Sequence, residues 1–471
     1  LIAKIIRLSL SSFAIFSLLV CLVSTTWAKP DVAASSLGYP ASIASSGDSI
    51  TRAFNSDTSN PLQDVPANSW ATGSNPAVNS HYLRILSANP SISGKSYNFA
   101  QSGTKMSALQ NQLASAAAQQ PEYLTILMGA NDICSAADQS QITSIADFTT
   151  QFRAALTSFS QGSPDSRIFV ASIVDLQHLW QILHTNPAAQ FIWNNAPVCP
   201  MMLYDSGNDA VDAARRDQVE QILLGYNQAL QTVCAEFIHC RFDNNVTFNT
   251  AFTPADVSSL DYFHPSLQGQ ATLAAGTWAT TFNFSDIIPP VSKVSLSSDY
   301  TSGQTTLTLT ASDDKGVSGI EYKLNGDNWT KYSAPLVLNS TTLTVSYRAV
   351  DLNGNNETSH TVRVVTNNGA IGSTGQTFFQ ALNQAQTGDT IAFALTGLPV
   401  QIANTASLSV NAGVRIDGGS CSGVTLQYVG AGRGTLTLSG KDNLYGLNLL
   451  NIDLQTHFPG TKVACTKVKR V

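Results

Sequence analysis

Four short, widely separated segments carry side chains that serve packing poorly and ester chemistry well. The first is "GDSI", Gly47 to Ile50, behind the small-residue run "IASS". The second is "NFAQSGTKM", with Gly103 between an apparent strand and the helix-like "SALQNQL". The third is "LTILMGANDIC", where Gly129, Asn131 and Asp132 cap a strongly apolar run, and the fourth is "LDYFHPSLQGQATLA", with Asp261 and His264 just ahead of a helix. Acyl transfer by serine needs a hydroxyl, a base for its proton, a group that orients the base, and donors for the oxyanion. Ser49 supplies the nucleophile, His264 the general base and then the acid for the leaving group, and Asp261 the carboxylate that fixes the imidazole tautomer. The main-chain amides of Ser49 and Gly103 and the side-chain amide of Asn131 are expected to face the oxyanion. Glycine at 103 lets a backbone N–H approach substrate without a side chain in the way, and a helix behind Ser49 is expected to add its N-terminal field.

Each of these residues also has an ordinary role open to it. Asp and Ser are common helix N-caps and Gly is common in turns, so "GDS" alone fits the start of a helix. Asn131 or Asp132 could cap a helix, and Asp261 with His264 could be a weak surface pair. The balance tips because all four segments occur together and complete one site. Of the seven histidines, His264 combines a carboxylate three residues earlier with a proline directly after it. His81, His178 and His184 are assigned ordinary surface or core roles.

Such segments need a scaffold to converge. Over 41–285, short apolar runs alternate with helical stretches. "YLTILMGAND" and "RIFVASIVDL" read as buried parallel strands with polar tips. "DAVDAARRDQVEQILLGYNQALQTVCAEF" repeats its apolar positions at three and four residues, the pattern of an amphipathic helix. The alternation predicts an α/β layer around a mainly parallel sheet, with its site beyond the carboxyl ends of the strands. Pro289 and Pro290 mark a linker. Over 289–366, period-two runs closed by Asp, Asn or Gly turns predict an all-β sandwich. Over 368–471, a short helix, a turn at Gly388 and Asp389, and brief glycine-spaced strands suggest the beginning of a solenoid or β-helix, either small and capped or shortened.

The rest of the sequence bounds the setting. Lys4 and Arg7 precede an apolar stretch from Leu8 to Val23, and small residues then lead to Ala28. That layout predicts a secretory signal over 1–28 and an exported chain that is secreted, periplasmic or at the cell surface. Serines at 9, 11, 12 and 17 break the run and disfavour a membrane anchor. Val20 before Cys21 disfavours a lipid anchor. Loss of the signal leaves six cysteines, an even number that fits disulfides. Cys134 with Cys199 and Cys234 with Cys240 are the most local pairings, with buried free thiols as the alternative. The cysteines and histidines lack metal-ligand spacing, so neither metal nor cofactor is expected. A net charge of −6 without a basic block gives no footprint for nucleic acid.

The ordered set "GDSI", an isolated glycine, "GAND" and "DYFH" resembles the SGNH hydrolases, or GDSL esterases and lipases, over Ala41 to Phe284. The resemblance implies a flavodoxin-like three-layer α/β/α fold and hydrolysis of esters of lipids, carbohydrates or small alcohols. It gives Ser49, Gly103, Asn131, Asp261 and His264 the roles described above. "GANDIC" is similar to phospholipase B-like members, which favours an acyl-lipid substrate and a disulfide at Cys134. Ile50 stands in place of the usual Leu, a volume-conserving change. Ser46 and the wording around Gly103 depart from common forms. The 289–366 segment resembles bacterial immunoglobulin-like modules through "DDKGVSGIEYKLNGDNWTKYSAPL" and "VSYRAVDLNGNNE", with Trp329 and Tyr347 as expected core aromatics. From 368, "FFQALNQAQTGDTIAF" resembles the beginning of pectate-lyase-like β-helix domains. The expectation is an exported serine ester hydrolase acting on a lipid or an acylated carbohydrate, its β modules contacting polysaccharide or a cell surface. A carbohydrate acetyl esterase and a non-catalytic adhesin or carbohydrate-binding protein are the alternatives. A long apolar trench would mark the lipase, and a small pocket beside polar subsites the carbohydrate esterase.

Overall fold

Strands apolar on both faces have to be covered on both faces, and in this chain they are. A computed structural model describes residues 38–196, 198–369, 374–396, 400–402, 407–421, 423–456 and 461–469. The expected signal over 1–28 lies outside the described residues. The strands β1 (Ile43–Gly47), β2 (Ser96–Asn98), β3 (Tyr123–Leu127), β4 (Arg167–Val170) and β5 (Cys240–Phe242) pair in parallel. Their order, β2-β1-β3-β4-β5, is the flavodoxin-like one. Parallel pairing needs long crossovers, supplied here by helices. These are α1 (His81–Ala88), α2 (Leu109–Ala117), α3 (Ala130–Cys134), α4 (Ile145–Gly162), α5 (Leu176–Leu183), α6 (Pro187–Asn195), α7 (Pro200–Leu203), α8 (Asp209–Cys234) and α9 (Leu267–Thr280).

Alternate strand residues divide between two cores. Ala44, Leu124, Ile126, Ile168 and Val170 pack with Leu113 of α2, Phe152 of α4 and Leu223 of α8. Ile43, Tyr123, Leu127 and Phe169 pack on the other face with Ile85 of α1 and Leu273 of α9. Burying each Phe or Leu of this kind contributes roughly 1.5–3 kcal/mol. Side-chain caps start the helices cleanly: Ser144 accepts from the Asp147 amide at α4, and Ser266 from the Gly269 amide at α9. Disulfides join Cys134 to Cys199 and Cys234 to Cys240, the two local pairings, and Cys421 to Cys465.

Several β sheets follow. β6 (Val291–Asp299), β7 (Gln304–Ser312), β8 (Val317–Leu324), β9 (Thr330–Lys331), β10 (Leu336–Leu338), β11 (Thr344–Asp351) and β12 (His360–Val365) make antiparallel pairs. Tyr347 enters the core between them. Trp329, expected there too, is only half-buried, with the Lys323 ammonium 4.9 Å and the Arg348 guanidinium 4.5 Å from its ring centroid. Packing against two cations keeps an indole near water. The sheet of β8, β11 and β12 does not stop at 366. β12 pairs in parallel with β13 (Thr390–Phe393), which begins a ladder through Arg415–Asp417, Asn443–Tyr445 and Lys462–Ala464. Two further parallel ladders wind beside it, from Val400–Ile402 and from Ser407–Val410. This solenoid-like coil encloses Phe378, Ile391, Ile416 and Leu444.

Buried and half-buried polar contacts join the α/β part to the β region. Arg167 donates to Asn355 Oδ1 at 3.2 Å, Asn353 to Asp286 at 2.8 Å, and Ser318 to the Ile238 carbonyl at 2.7 Å. Among the described residues no helix is long and apolar enough to cross a membrane.

Candidate active site

The first polar segment starts where β1 ends. Gly47 has φ +151°, and Gln112 of α2 grips it on both sides. Gln112 Oε1 accepts from the Gly47 amide at 2.8 Å, and its Nε2 donates to the Gly47 carbonyl at 2.9 Å. From α9, Gln270 donates to the Ile50 carbonyl at 2.8 Å and accepts from the Trp70 amide at 3.0 Å. Two buried amides with satisfied hydrogen bonds thus fix the backbone on both sides of Ser49. The expected helix behind Ser49 does not form. The segment is a run of turns, because Ala53 (φ 52°) and Asn55 (φ 56°) adopt the left-handed conformation and fold the chain back.

That reversal carries Asn55 to Asp261. Asn55 Nδ2 donates to Asp261 Oδ2 at 2.5 Å, and the same oxygen lies 2.7 Å from His264 Nδ1. Asp261 Oδ1 accepts from the amides of Phe263 and His264, each at 3.0 Å. His264 Nε2 is 2.8 Å from Ser49 Oγ. Burial pushes the Asp261 carboxyl up, but the His264 hydrogen bond and charge and the Asn55 amide outweigh it and hold the group below the usual carboxylate range. An ionised Asp261 accepts a hydrogen bond from Nδ1–H and so fixes the tautomer that leaves Nε2 to accept from the Ser49 hydroxyl.

The second and third segments lie at the ends of the neighbouring strands. The Gln101 amide donates to the Gly47 carbonyl at 3.1 Å, and Asn131 Nδ2 donates to the Thr104 carbonyl at 3.2 Å. Gly103 and Asn131 are therefore brought together, and the Asn131 amide keeps a second N–H. Gly103 has φ +77°, and a Cβ there would meet no protein atom within 4 Å. Its conformation, not crowding by the protein, calls for glycine. Asp132 is buried, accepts from the Met106 amide at 2.8 Å, and is pushed up by desolvation. Asp48 accepts from the Ile50 amide at 2.9 Å while its other oxygen is unpartnered, and burial pushes it up to about 6.

The structure thus joins Ser49, His264 and Asp261 in one hydrogen-bonded relay and sets Gly103 beside Asn131. Asn55, Gln112 and Gln270 were not anticipated. Gln270 left no distinctive trace, since it shares its helix with Gln268, Thr272, Thr277 and Thr280. His81 packs in the core between Tyr123 and Thr277, at 2.9 Å from each hydroxyl.

Two cavities adjoin this region. A small apolar one, about 40 Å³, is lined by Ile50, Val174, Leu176, Leu179, Phe252 and Phe263, among others. A larger polar one, about 120 Å³, lies across α5 and includes Trp180, Trp193 and Arg216.

Residues 46–272 match the GDSL-like Lipase/Acylhydrolase family. No match is found among curated proteins. Among solved structures, the chain is similar to Axe2, an acetylxylan esterase from Geobacillus stearothermophilus. That pair is 16% identical with a TM-score of 0.32, over 52% of this chain and 95% of that one. It is also similar to a protein described as a GDSL-like lipase from Parabacteroides merdae, 19% identical with a TM-score of 0.35, over 52% and 95%. The span matched to the family holds Ser49, Gly103, Asn131, Asp261 and His264, and residues 46–272 of this chain are a GDSL-like lipase/acylhydrolase domain.

Proposed function

We propose that this chain is a serine hydrolase of short-chain carboxylic esters that forms an acyl-enzyme on Ser49. The observation that carries the proposal is the relay itself, with Nε2 at 2.8 Å from Oγ and Nδ1 at 2.7 Å from the carboxylate. Ser49 Oγ attacks the ester carbonyl as its proton passes to His264 Nε2. The imidazolium, stabilised by Asp261, returns that proton to the leaving alkoxide. Water then repeats the sequence on the acyl-enzyme and releases the acid. The amides of Ser49 and Gly103 and the free N–H of Asn131 are the donors for the oxyanion.

The small apolar cavity supports a short acyl group. Its lining includes the residue after Ser49 and both neighbours of His264, Phe263 and Pro265. At about 10–15 Å³ for each water-sized occupant, 40 Å³ takes an acyl group of a few carbons. An acyl-lipid substrate would need a long trench in its place. Turnover of p-nitrophenyl acetate, butyrate and palmitate tests this: kcat/KM for the two short esters should exceed that for palmitate by about 100-fold or more. A preference for palmitate would overturn the short-chain assignment. Export fits the three disulfides, which persist in oxidising compartments. The β region is suited to holding the enzyme on a polysaccharide or a cell surface.

Asn55 belongs to this mechanism as a positioning residue, because it acts through Asp261. Asn55→Ala removes a hydrogen bond to a charged group, worth about 1.5–3 kcal/mol, so kcat should fall by about 10- to 100-fold. With that donor gone, the Asp261 carboxyl titrates higher, and the acid limb of the pH–rate profile should move to higher pH. A lower yield of folded enzyme with an unmoved limb would mean that Asn55 only supports its loop.

A further inference from the structure

The polar cavity beside the triad loop contains a guanidinium from whose N–H donors no described residue accepts. Arg216 of α8 is 7% exposed, yet its guanidinium makes no hydrogen bond or ion pair among the described residues. Its guanidinium carbon lies over the Trp180 ring, 3.9 Å from the centroid. A cation–π contact of this kind holds the guanidinium in place without using its N–H donors. Those donors open onto the cavity, where water or the hydroxyls of a ligand can accept from them. Asp205 and Asp209 line the same space, as do the side chains of Gln190 and Asn194.

This mixture limits the ligand. A phosphate or a free carboxylate would suit Arg216 but would meet the negative charge of Asp205 and Asp209. A cation would suit the acids but meet Arg216. Vicinal hydroxyls do both jobs, since each accepts from the guanidinium or an amide and donates to a carboxylate. At about 10–15 Å³ per water, 120 Å³ has room for roughly ten water-sized groups, the bulk of one pyranose ring. The cavity also touches the catalytic loop: Trp193, in its lining, donates its Nε1–H to the carbonyl of Tyr262, the residue between Asp261 and Phe263, at 3.2 Å. Helix α5 separates it from the apolar cavity, with Leu176 and Leu179 on one side and Trp180 on the other.

We infer that the cavity around Arg216 is a sugar subsite, and that the alcohol half of the natural ester is a carbohydrate. This rests on the ester-hydrolase assignment and names its substrate class. The test compares partially acetylated cello-oligosaccharide with p-nitrophenyl acetate, which carries no sugar, in the wild-type enzyme, Arg216→Gln and Arg216→Lys. The specificity ratio, kcat/KM for the oligosaccharide over that for the aryl ester, should fall at least 10-fold in both variants. A ratio does not depend on how much of a variant folds. An unchanged ratio in an active enzyme overturns the sugar subsite and leaves the hydrolase intact. If the wild-type protein cleaves neither ester, the hydrolase assignment fails instead; calorimetric titration with free cello-oligosaccharide then tests the subsite, with binding that Arg216→Gln loses supporting it and no binding overturning it. Competitive inhibition by glycerophosphocholine, without inhibition by the oligosaccharide, would assign the cavity to a zwitterionic headgroup and also overturn the proposal.

Discussion

Ser49→Ala is expected to lower kcat on p-nitrophenyl acetate by about 10⁴-fold or more, with a residual rate above the uncatalysed one. The loss is large because the proposed mechanism routes the acyl group through this hydroxyl, which lies 2.8 Å from His264 Nε2. The residual rate comes from binding and from the oxyanion donors, which the substitution leaves in place. His264→Ala should cost nearly as much, and the double variant little more than either single one, since members of a relay are not additive. The fold should tolerate Ser49→Ala: the turn is fixed by Gln112 and Gln270 through backbone atoms, not through the serine hydroxyl. A variant that keeps a tenth of the wild-type rate would exclude Ser49 as the nucleophile.

Two residues earlier, Gly47→Ala should damage the protein in a different way. A Cβ on Gly47 would sit 2.2 Å from the Leu127 carbonyl oxygen and 2.8 Å from Thr51 Oγ1, at a φ of +151°. The first obstacle is backbone of the neighbouring strand, and β1 pairs with β3 from Ile43–Tyr123 to Gly47–Leu127. Relief requires the carboxyl ends of β1 and β3 to part, with loss of the Gln112 clamp. The expected cost is about 4 kcal/mol or more, in the range of exceptional substitutions. For a domain of this size that corresponds to a fall in Tm of roughly 8–16 °C. Gly103→Ala is the control, because a Cβ there meets nothing within 4 Å and only the φ of +77° is strained. That strain should cost about 1–3 kcal/mol. Thermal unfolding followed by circular dichroism separates the two, and equal Tm values for Gly47→Ala and the wild-type protein would refute the backbone account.

What was legible in the sequence was whatever left a local pattern. β3 and β4 stand out as apolar runs with polar tips, and α8 as a three–four repeat, because each is decided by its own residues. Ser49, Asp261 and His264 were legible because few chemistries use those residue types together. Asn55 was not: it lies 206 positions from Asp261 in a polar stretch that reads as a surface loop. Gln112 and Gln270 look like solvent-facing amides until the strand end they clamp is known. The missing helix behind Ser49 follows from two left-handed residues, Ala53 and Asn55, of which alanine gives no warning in sequence. Strand pairing was equally hidden, since neither β12 nor β13 announces that it will accept the other in parallel.

The central claim is that Ser49 carries the acyl group, and covalent trapping tests it most directly. After the purified protein is incubated with a fluorophosphonate ester, digestion and mass spectrometry should place one phosphonyl group on the peptide containing Ser49, in step with the loss of esterase activity. The His264→Ala protein should label far more slowly. Inactivation with the label on another residue, or full activity with Ser49 modified, would contradict the account.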